Sequence, residues 1–561
     1  MKSAIRRLKS AICWIAATLA VGASLTPGPR PAATPPEANS LSLIVQATDL
    51  AGAARAVRSV GGTVTHELGI INAVGARLTA AQVEALRRSP AVRRIYPNSV
   101  VRTAGGGGQG IDTFYPRLVG ADRLHMEGIV GTGVSVAVVD TGLNGGTAGQ
   151  DWLAYDINGH WRLGGYDFIT ETYPYSRQTF DVPYDPYGHG SHVTSVIANS
   201  RPYGASYNGI APNVSVIYDL RSFDGNGSGS YLDVIQGIDF VANYYKKLYP
   251  GYRKGFVLNL SFSAPARSHY WDDPLNQAVM RAWQAGIVVV VSAGNTGPDP
   301  MTIGVPGNVP YVITVGAMTD HYTPDVPADD YLASFSSTGP TVEGFVKPDV
   351  VAPGGHLIGL MSTRSLLSTS HDESRGRGSY FTMSGTSQAA AVVSGIAALM
   401  LQKEPSLSPD DVKCRLMAAA RPAVDPSGHR AYSVLQQGAG LVDAHAAVYS
   451  TASGCANVGL DVNQDLAGTA HYGGPANQNP DGTYYLTGLT GDGYVWNGAY
   501  LWSGGYLWSS GSLWADAYLW SGGYLWSDTY AWSSAYLWSG GYLWSASLTE
   551  TASTNKWVDQ Q

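Results

Sequence analysis

Charge is scarce in this sequence: Asp, Glu, Lys and Arg make up 14% of its 561 residues, against about 25% in an average soluble domain. No basic excess exists either. The formal net charge is −7, which argues against a nucleic-acid partner. Only three cysteines are present, so a dense disulfide scaffold is excluded. Beyond residue 26 no run of ~18 apolar residues lacks a charge or polar break, which excludes a polytopic membrane protein. What the chain has is apolar surface, glycine and large aromatics: 44% hydrophobic residues, 68 Gly, 34 Tyr and 15 Trp. That is enough to bury a large core, and the length allows up to about four domains.

The charge is unevenly spread. Residues 1–40 carry Lys2, Arg6, Arg7, Lys9 and Arg30 against Glu37. Residues 41–110 carry eight arginines against Asp49, Glu67 and Glu84, so the acidic excess lies entirely beyond residue 110. Opposite charge favours docking of this front section on the body that follows. Lys2 to Lys9 precede an apolar run from Ala11 to Ala23, with small residues Val21-Gly22-Ala23 at its end. Residues 1–26 therefore read as a secretory signal peptide, with a Pro/Ala-rich linker at 27–40. Export leaves Cys414 and Cys455. They form a disulfide in an oxidising compartment, or remain two buried thiols.

Residues 41–103 read as a small α+β unit. Leu41–Gln46, Ile70–Leu78 and Val92–Tyr96 have strand patterning, and Ala51–Val60 and Ala80–Arg88 have helical spacing. The glycine run at 104–110 has no Lys and no flanking strand and helix for a phosphate loop, and reads as a cleavable joint. Residues 111–451 alternate short β-branched strands with helices. The strands are Val134–Asp140, Ser215–Leu220, Val257–Ser261, Ile287–Val291 and Val312–Val315. The helices include Tyr231–Leu248, Pro274–Ala285 and Ser387–Gln402. That alternation predicts an α/β fold, a parallel sheet with helices on both faces. Functional groups then gather at the carboxyl ends of its strands.

Three groups stand where that rule wants them. Asp140 ends a strand and is followed by Thr141-Gly142. Alone it reads as an Asx turn. An aspartic-protease reading needs a second Asp-Thr-Gly, which the sequence lacks. His189 lies in Gly188-His189-Gly190-Ser191-His192-Val193. Two histidines three apart can ligate a metal, but no third ligand stands near. Ser387 lies in Ser384-Gly385-Thr386-Ser387-Gln388-Ala389, at the start of an apolar helix. There it is either an N-cap or a nucleophile beside backbone N–H groups. The Gly-x-Ser-x-Gly elbow of α/β-hydrolases is absent. Together the three supply the orienter, base and nucleophile of acyl transfer, in one known order. Asn295, in Ser292-Ala293-Gly294-Asn295-Thr296-Gly297, supplies an amide for the oxyanion.

At this level the sequence resembles the subtilisin-like serine proteases, the subtilases. The matching blocks are Val138-Val139-Asp140-Thr141-Gly142, Gly188–Val193, Ala293-Gly294-Asn295 and Gly385-Thr386-Ser387. Phe335-Ser336-Ser337-Thr338-Gly339-Pro340 and Lys347–Gly354 match as well. Residues 41–103 resemble the family's inhibitor propeptide, notably at Ile70–Val74 and Val92–Asn98. The resemblance implies a subtilisin-like fold for 111–451 and a secreted, self-processing endopeptidase with no cofactor for catalysis. Protein or peptide substrates are its partners, and its own propeptide is its inhibitor. Substrate is expected to add as a strand against Gly227, Ser228 and Gly229 and against Asn259, Ser261 and Ser263. The specificity pocket is expected to be walled by Ser292, Ala293, Gly294 and Asn295 over Gly304, and to take large apolar residues. The sequence departs from the family at Gln388-Ala389-Ala390-Ala391, where Met-Ala-x-Pro is usual. It departs again at Ser263, where glycine is usual and a side chain narrows the cleft. The long 143–187 segment, with Asp181 and Asp185, is a candidate for structural calcium with unassigned ligands.

Residues 452–493 read as a linker. In 494–547, nine tryptophans recur every six residues from Trp496 to Trp544, in units of Tyr-Leu-Trp-Ser-Gly-Gly. An even period puts every Tyr and Trp on one face of an extended chain. The tail is therefore expected to be β-rich, with its aromatics either forming its own core or exposed toward carbohydrate or a cell surface. Residues 548–561 close the chain. A second function class follows from the tail: a catalytically silent relative that binds a surface through these repeats. All four catalytic positions are occupied, which favours the enzyme.

Overall fold

The computed structural model describes residues 40–98, 111–144, 151–170, 185–248, 255–424, 431–478 and 484–486, and within 551–561 all but residues 556 and 559. The signal segment, the glycine joint, Asp181 and the aromatic repeats lie outside the described residues. Two compact units result, residues 1–107 and 108–561. Among the described residues no helix is long and apolar enough to cross a membrane.

The first unit runs β1 (Leu41–Ala47), α1 (Leu50–Ser59), β2 (Thr63–Leu68), β3 (Ala73–Leu78), α2 (Ala80–Arg87) and β4 (Val92–Pro97). Its antiparallel sheet has the order β2-β3-β1-β4, the βαββαβ arrangement of ferredoxin-like folds. Asp49 caps α1, and Thr79 with Gln82 forms a capping box on α2, each satisfying N–H groups that the helix cannot. Val45, Val57, Val74, Leu78 and Leu86 close the core beneath. The sequence reading missed β2. Thr63–Leu68 is an edge strand with no fully buried position, so it carries no apolar alternation to read.

The second unit is built on β5 (Val134–Asp140), β6 (Leu163–Asp167), α3 (His189–Ala198), β7 (Val216–Arg221), β8 (Ser228–Ser230), α4 (Tyr231–Leu248), β9 (Gly255–Leu260), β10 (Phe262–Ser263), α5 (Pro274–Gln284), β11 (Val288–Ser292), β12 (Ile313–Thr319), β13 (Tyr331–Leu332), β14 (Val350–Pro353), α6 (Thr386–Lys403), α7 (Pro409–Ala419) and β15 (Thr551–Thr554). The central sheet has the order β13-β12-β11-β9-β5-β7-β6, with β14 also on β12, and every pairing except β12 with β13 is parallel. All seven residues of β5 are buried, as a strand covered on both faces requires. The α3–α6 and α4–α5 pairs cover the sheet. Residues 386–401 of α6 are buried all round, which its run of Ala, Val, Ile and Leu permits. At Gly395 an added Cβ would lie 2.5 Å from Ile210, so glycine lets the helix sit that deep.

Within 452–493, the described residues 452–478 and 484–486 differ from the linker expected. Val462–Leu466 is a helical turn capped by Asp461, and Ala476–Gln478 pairs with Tyr484–Leu486. Buried Asp465 accepts hydrogen bonds from Tyr270 and Tyr311. The Gly474 and Ala476 amides donate to Glu343 and Gly344. Polar composition hid this, because the segment is fixed by hydrogen bonds to the peptidase body, not by an apolar core of its own.

Cys414, on α7, is bonded to Cys455 with 5.2 Å between Cα atoms and a sequence separation of 41. Closing a loop of that length stabilises by up to about 4 kcal/mol through chain entropy. In a Ser387→Ala background, which prevents self-digestion, Cys414→Ala/Cys455→Ala is expected to lower the guanidinium unfolding free energy toward that limit. A loss under about 1 kcal/mol would mean packing alone holds the loop.

Candidate active site

Parallel strands deliver their carboxyl ends to one edge, and β5 delivers Asp140 there. The Asp140 Oδ1 accepts the Thr141 amide at 2.7 Å and faces His189 Nδ1 at 2.7 Å. Both side chains are buried, at 1% and 2% exposure, so the pair is shielded from water and the ring is oriented by one strong contact. His189 opens α3 behind Gly188, whose φ of +107° suits glycine.

Asp185 fixes that helix start. Its carboxylate accepts the Gly188 and Ser191 amides at 2.7 and 2.8 Å and the Thr141 hydroxyl at 2.8 Å. Burial pushes its pKa up while these bonds push it down, with burial the larger. Both oxygens are thus engaged by donors. Among the described residues no group of three acidic, His or Cys side chains is placed to hold a metal.

Ser387 is the second residue of α6, whose N-terminal amides and partial positive charge favour a developing oxyanion. Its Oγ donates to the Ser261 carbonyl at 3.0 Å, and the Ser261 hydroxyl returns a bond to the Ser387 carbonyl at 3.0 Å. Behind Ser261, the Asn259 amide donates to Ser261 Oγ at 2.8 Å and Ser394 donates to Asn259 Oδ1 at 2.8 Å. Asn259 was expected in the cleft. Its strand is instead paired on both sides within the central sheet, with Val138 and Val290, and its buried side chain buttresses the Ser387 loop.

Asn295 Oδ1 accepts both the amide and the hydroxyl of Thr386, at 2.9 and 2.8 Å. An N–H donor can only meet oxygen, so these bonds fix the carboxamide's orientation. Asn295, His189, Ser387 and Gln388 line one pocket with Tyr187, Leu367, Met383, Ser384, Asn555 and Trp557. His192, one turn past His189, is structural. Its Nε2 lies 3.2 and 3.1 Å from the Leu357 and Phe381 carbonyls.

The substrate rims hold the chain's own segment. β15 pairs antiparallel with β8 on one side and β10 on the other, matching Ser228 with Ser553, Gly229 with Ala552 and Phe262 with Thr554. The Thr554 amide donates to Gly227 at 3.0 Å. A Cβ on Gly227 would lie 2.6 Å from Thr554, so glycine there admits the strand. Where an apolar specificity pocket was expected, the lining carries hydroxyls. Ser263 donates to Asn555 Oδ1 at 2.9 Å, and Asn555 Nδ2 donates to Ser292 at 3.1 Å and Ser387 at 2.8 Å. Gly294 and Gly304 lie beside Ser263, and Gly304 donates to the Ala293 carbonyl. The sequence reading missed Asn555 and Trp557, because a short run of small polar residues after the repeats carries no distinctive signal.

Residues 131–440, more than half of the chain, match the subtilase family. The chain belongs to that family. Residues 8–98 match the "Putative peptidase inhibitor domain". The subtilase match extends to serine protease AprX of Bacillus subtilis, 37% identical over 355 residues, which are 61% of this chain and 73% of AprX. It extends also to subtilisin DY of Bacillus licheniformis, 32% identical over 306 residues, 54% of this chain and 89% of that one. Among solved structures, fervidolysin of Fervidobacterium pennivorans, a keratinolytic enzyme related to subtilisin, aligns with a TM-score of 0.46 at 24% identity. That alignment covers 75% of this chain and 63% of fervidolysin, under two thirds of its length. This subtilase is a serine endopeptidase with an inhibitor-type propeptide domain.

Burial, aided by the charge of His189, lowers the pKa of His192 to about 3, against the opposing pull of the two carbonyls. The unfolded chain takes that proton near 6.5. This contribution to stability is therefore whole above pH 6.5 and is lost as pH falls toward 3, by at most about 1.4 kcal/mol per pH unit. His192→Gln, which keeps an N–H for the carbonyls and cannot be protonated, is expected to flatten the pH dependence of unfolding between 6.5 and 4. An unchanged slope would refute the assignment.

Proposed function

We propose that the protein is a secreted serine endopeptidase, made as a self-processing zymogen, in which Ser387, His189 and Asp140 form the catalytic triad and Asn295 donates to the oxyanion. The observation that carries this is the buried 2.7 Å Asp140–His189 contact in a pocket shared with Ser387 and Asn295. Secretion rests on the signal-like residues 1–26 and agrees with the Cys414–Cys455 bond.

In the reaction Ser387 Oγ attacks the peptide carbonyl and its proton passes to His189 Nε2. Asp140, on Nδ1, holds the tautomer that leaves Nε2 ready to accept it and stabilises the imidazolium formed. The oxyanion lies between the Ser387 amide and the Asn295 carboxamide. His189 then returns the proton to the leaving amine. Water repeats the sequence on the acyl-enzyme. For the attack Ser387 must turn from the Ser261 carbonyl toward His189, a rotation about one side-chain bond. Release of the first unit follows by cleavage within 103–111.

Wild-type protein expressed with its signal is expected to lose its residues up to the glycine run, read by N-terminal sequencing, while Ser387→Ala stays whole. Two full-length products would remove self-processing. In the mature enzyme Asn295→Ala is expected to lower kcat by about 10²–10³ with little change in KM. A change confined to KM would place Asn295 in ground-state binding instead.

A further inference from the structure

We propose that residues Thr551–Gln561 are an intramolecular inhibitor: a strap that fills the enzyme's own cleft on both sides of Ser387, with the Asn555 carboxamide in the specificity pocket and the Trp557 indole on the leaving-group side. This rests on the reading of Ser387 as nucleophile.

Three groups of contacts carry it. On the acyl side, β15 completes a three-stranded sheet with β8 and β10, which is how a bound peptide gains main-chain hydrogen bonds in strand-addition recognition. Ala552 and Thr554 are buried there. At the centre four hydroxyls read one carboxamide: Ser263 donates to its oxygen, and Ser292, Ser387 and Thr386 accept from its nitrogen, Thr386 at 3.4 Å. Asn555 offers one acceptor and a two-proton donor to that ring. An aliphatic side chain would take the acceptor from Ser263 and this donor from Ser292, Ser387 and Thr386, whose own protons go to Phe262, Ser261 and Asn295. On the leaving-group side Trp557 stacks on His371 with 3.8 Å between centroids, and meets Phe381 edge-on at 5.9 Å. It packs against the cluster of Met361, Leu367, Phe381 and Met383. Further along, Ser384 and Tyr322 donate to Gln560 at 3.0 and 3.2 Å, and the Ser334 amide donates to Gln561 at 3.0 Å. Holding on both sides distinguishes a strap from a cleaved product, which keeps one side only.

The nucleophile is also disarmed. Its single proton goes to the Ser261 carbonyl, and Asn555 donates to its oxygen. The strap belongs to the same chain as the cleft, so its competition with substrate is intramolecular and independent of protein concentration. Substrate then sees only the open fraction of enzyme, which raises KM by the reciprocal of that fraction and leaves kcat alone.

The test compares the purified protein, freed of its first unit and running to Gln561, with Thr554→Pro/Trp557→Ala, in which proline removes the N–H bonded to Gly227. Trp557→Ala alone serves as the milder variant. With a short chromogenic peptide, the double variant is expected to show a KM at least tenfold lower at unchanged kcat. A synthetic peptide of residues 551–561 added to it is expected to inhibit competitively, and the Asn555→Leu peptide at least tenfold more weakly. Equal KM in all three proteins, no competition by the peptide at millimolar concentration, or turnover of that peptide as fast as the chromogenic one would each overturn the proposal. Ser387→Ala in both backgrounds separates the two claims. Hydrolysis surviving there would remove the nucleophile assignment, whatever the strap does.

Discussion

Everything at this site depends on a carboxylate and an imidazole held together out of water. A carboxyl inside a protein is tolerated where donors replace its hydration. Asp140 has them at Oδ1, from the Thr141 amide and His189, while its buried Oδ2 has no hydrogen-bond partner among the described residues. The rest of the domain keeps those groups in register. A parallel sheet ends β5 at the required edge, Asp185 pins the start of α3, and α6, buried over residues 386–401, presents Ser387 at its N-terminus.

Much of this was legible in the sequence, for a physical reason. Strands buried on both faces must be continuous apolar runs, so Val134–Asp140 announced itself, and a helix buried all round must look like 386–401. The catalytic groups sit at the ends of such elements, where Asp, His and Ser stand out against their surroundings. Legibility failed where side chains do not set the structure. Leu163–Asp167, with two glycines, and the edge strand Thr63–Leu68 are held by backbone pairing. The 452–478 segment is held by polar contacts reaching Tyr270, Tyr311 and Glu343, far away in sequence. No local pattern encodes such partners.

The cleft shows the same division. Gly227 and Gly229 were named through the family resemblance, and at Gly227 an added Cβ would meet Thr554. Ser263 was readable as a departure from glycine, but not its consequence. Its hydroxyl, with those of Ser292 and Thr386, is hydrogen-bonded to a carboxamide that the chain itself supplies.

Connectivity gives the strap a property that no list of contacts contains. While the chain is continuous between Leu486 and Thr551, occupancy of the cleft is a first-order equilibrium, indifferent to how much protein is present. A single nick anywhere in that stretch makes it second order. The contacts at Asn555 and Trp557 would be the same the instant after the cut, yet the freed peptide would then be lost to dilution, and in a large enough volume one cut becomes an irreversible switch.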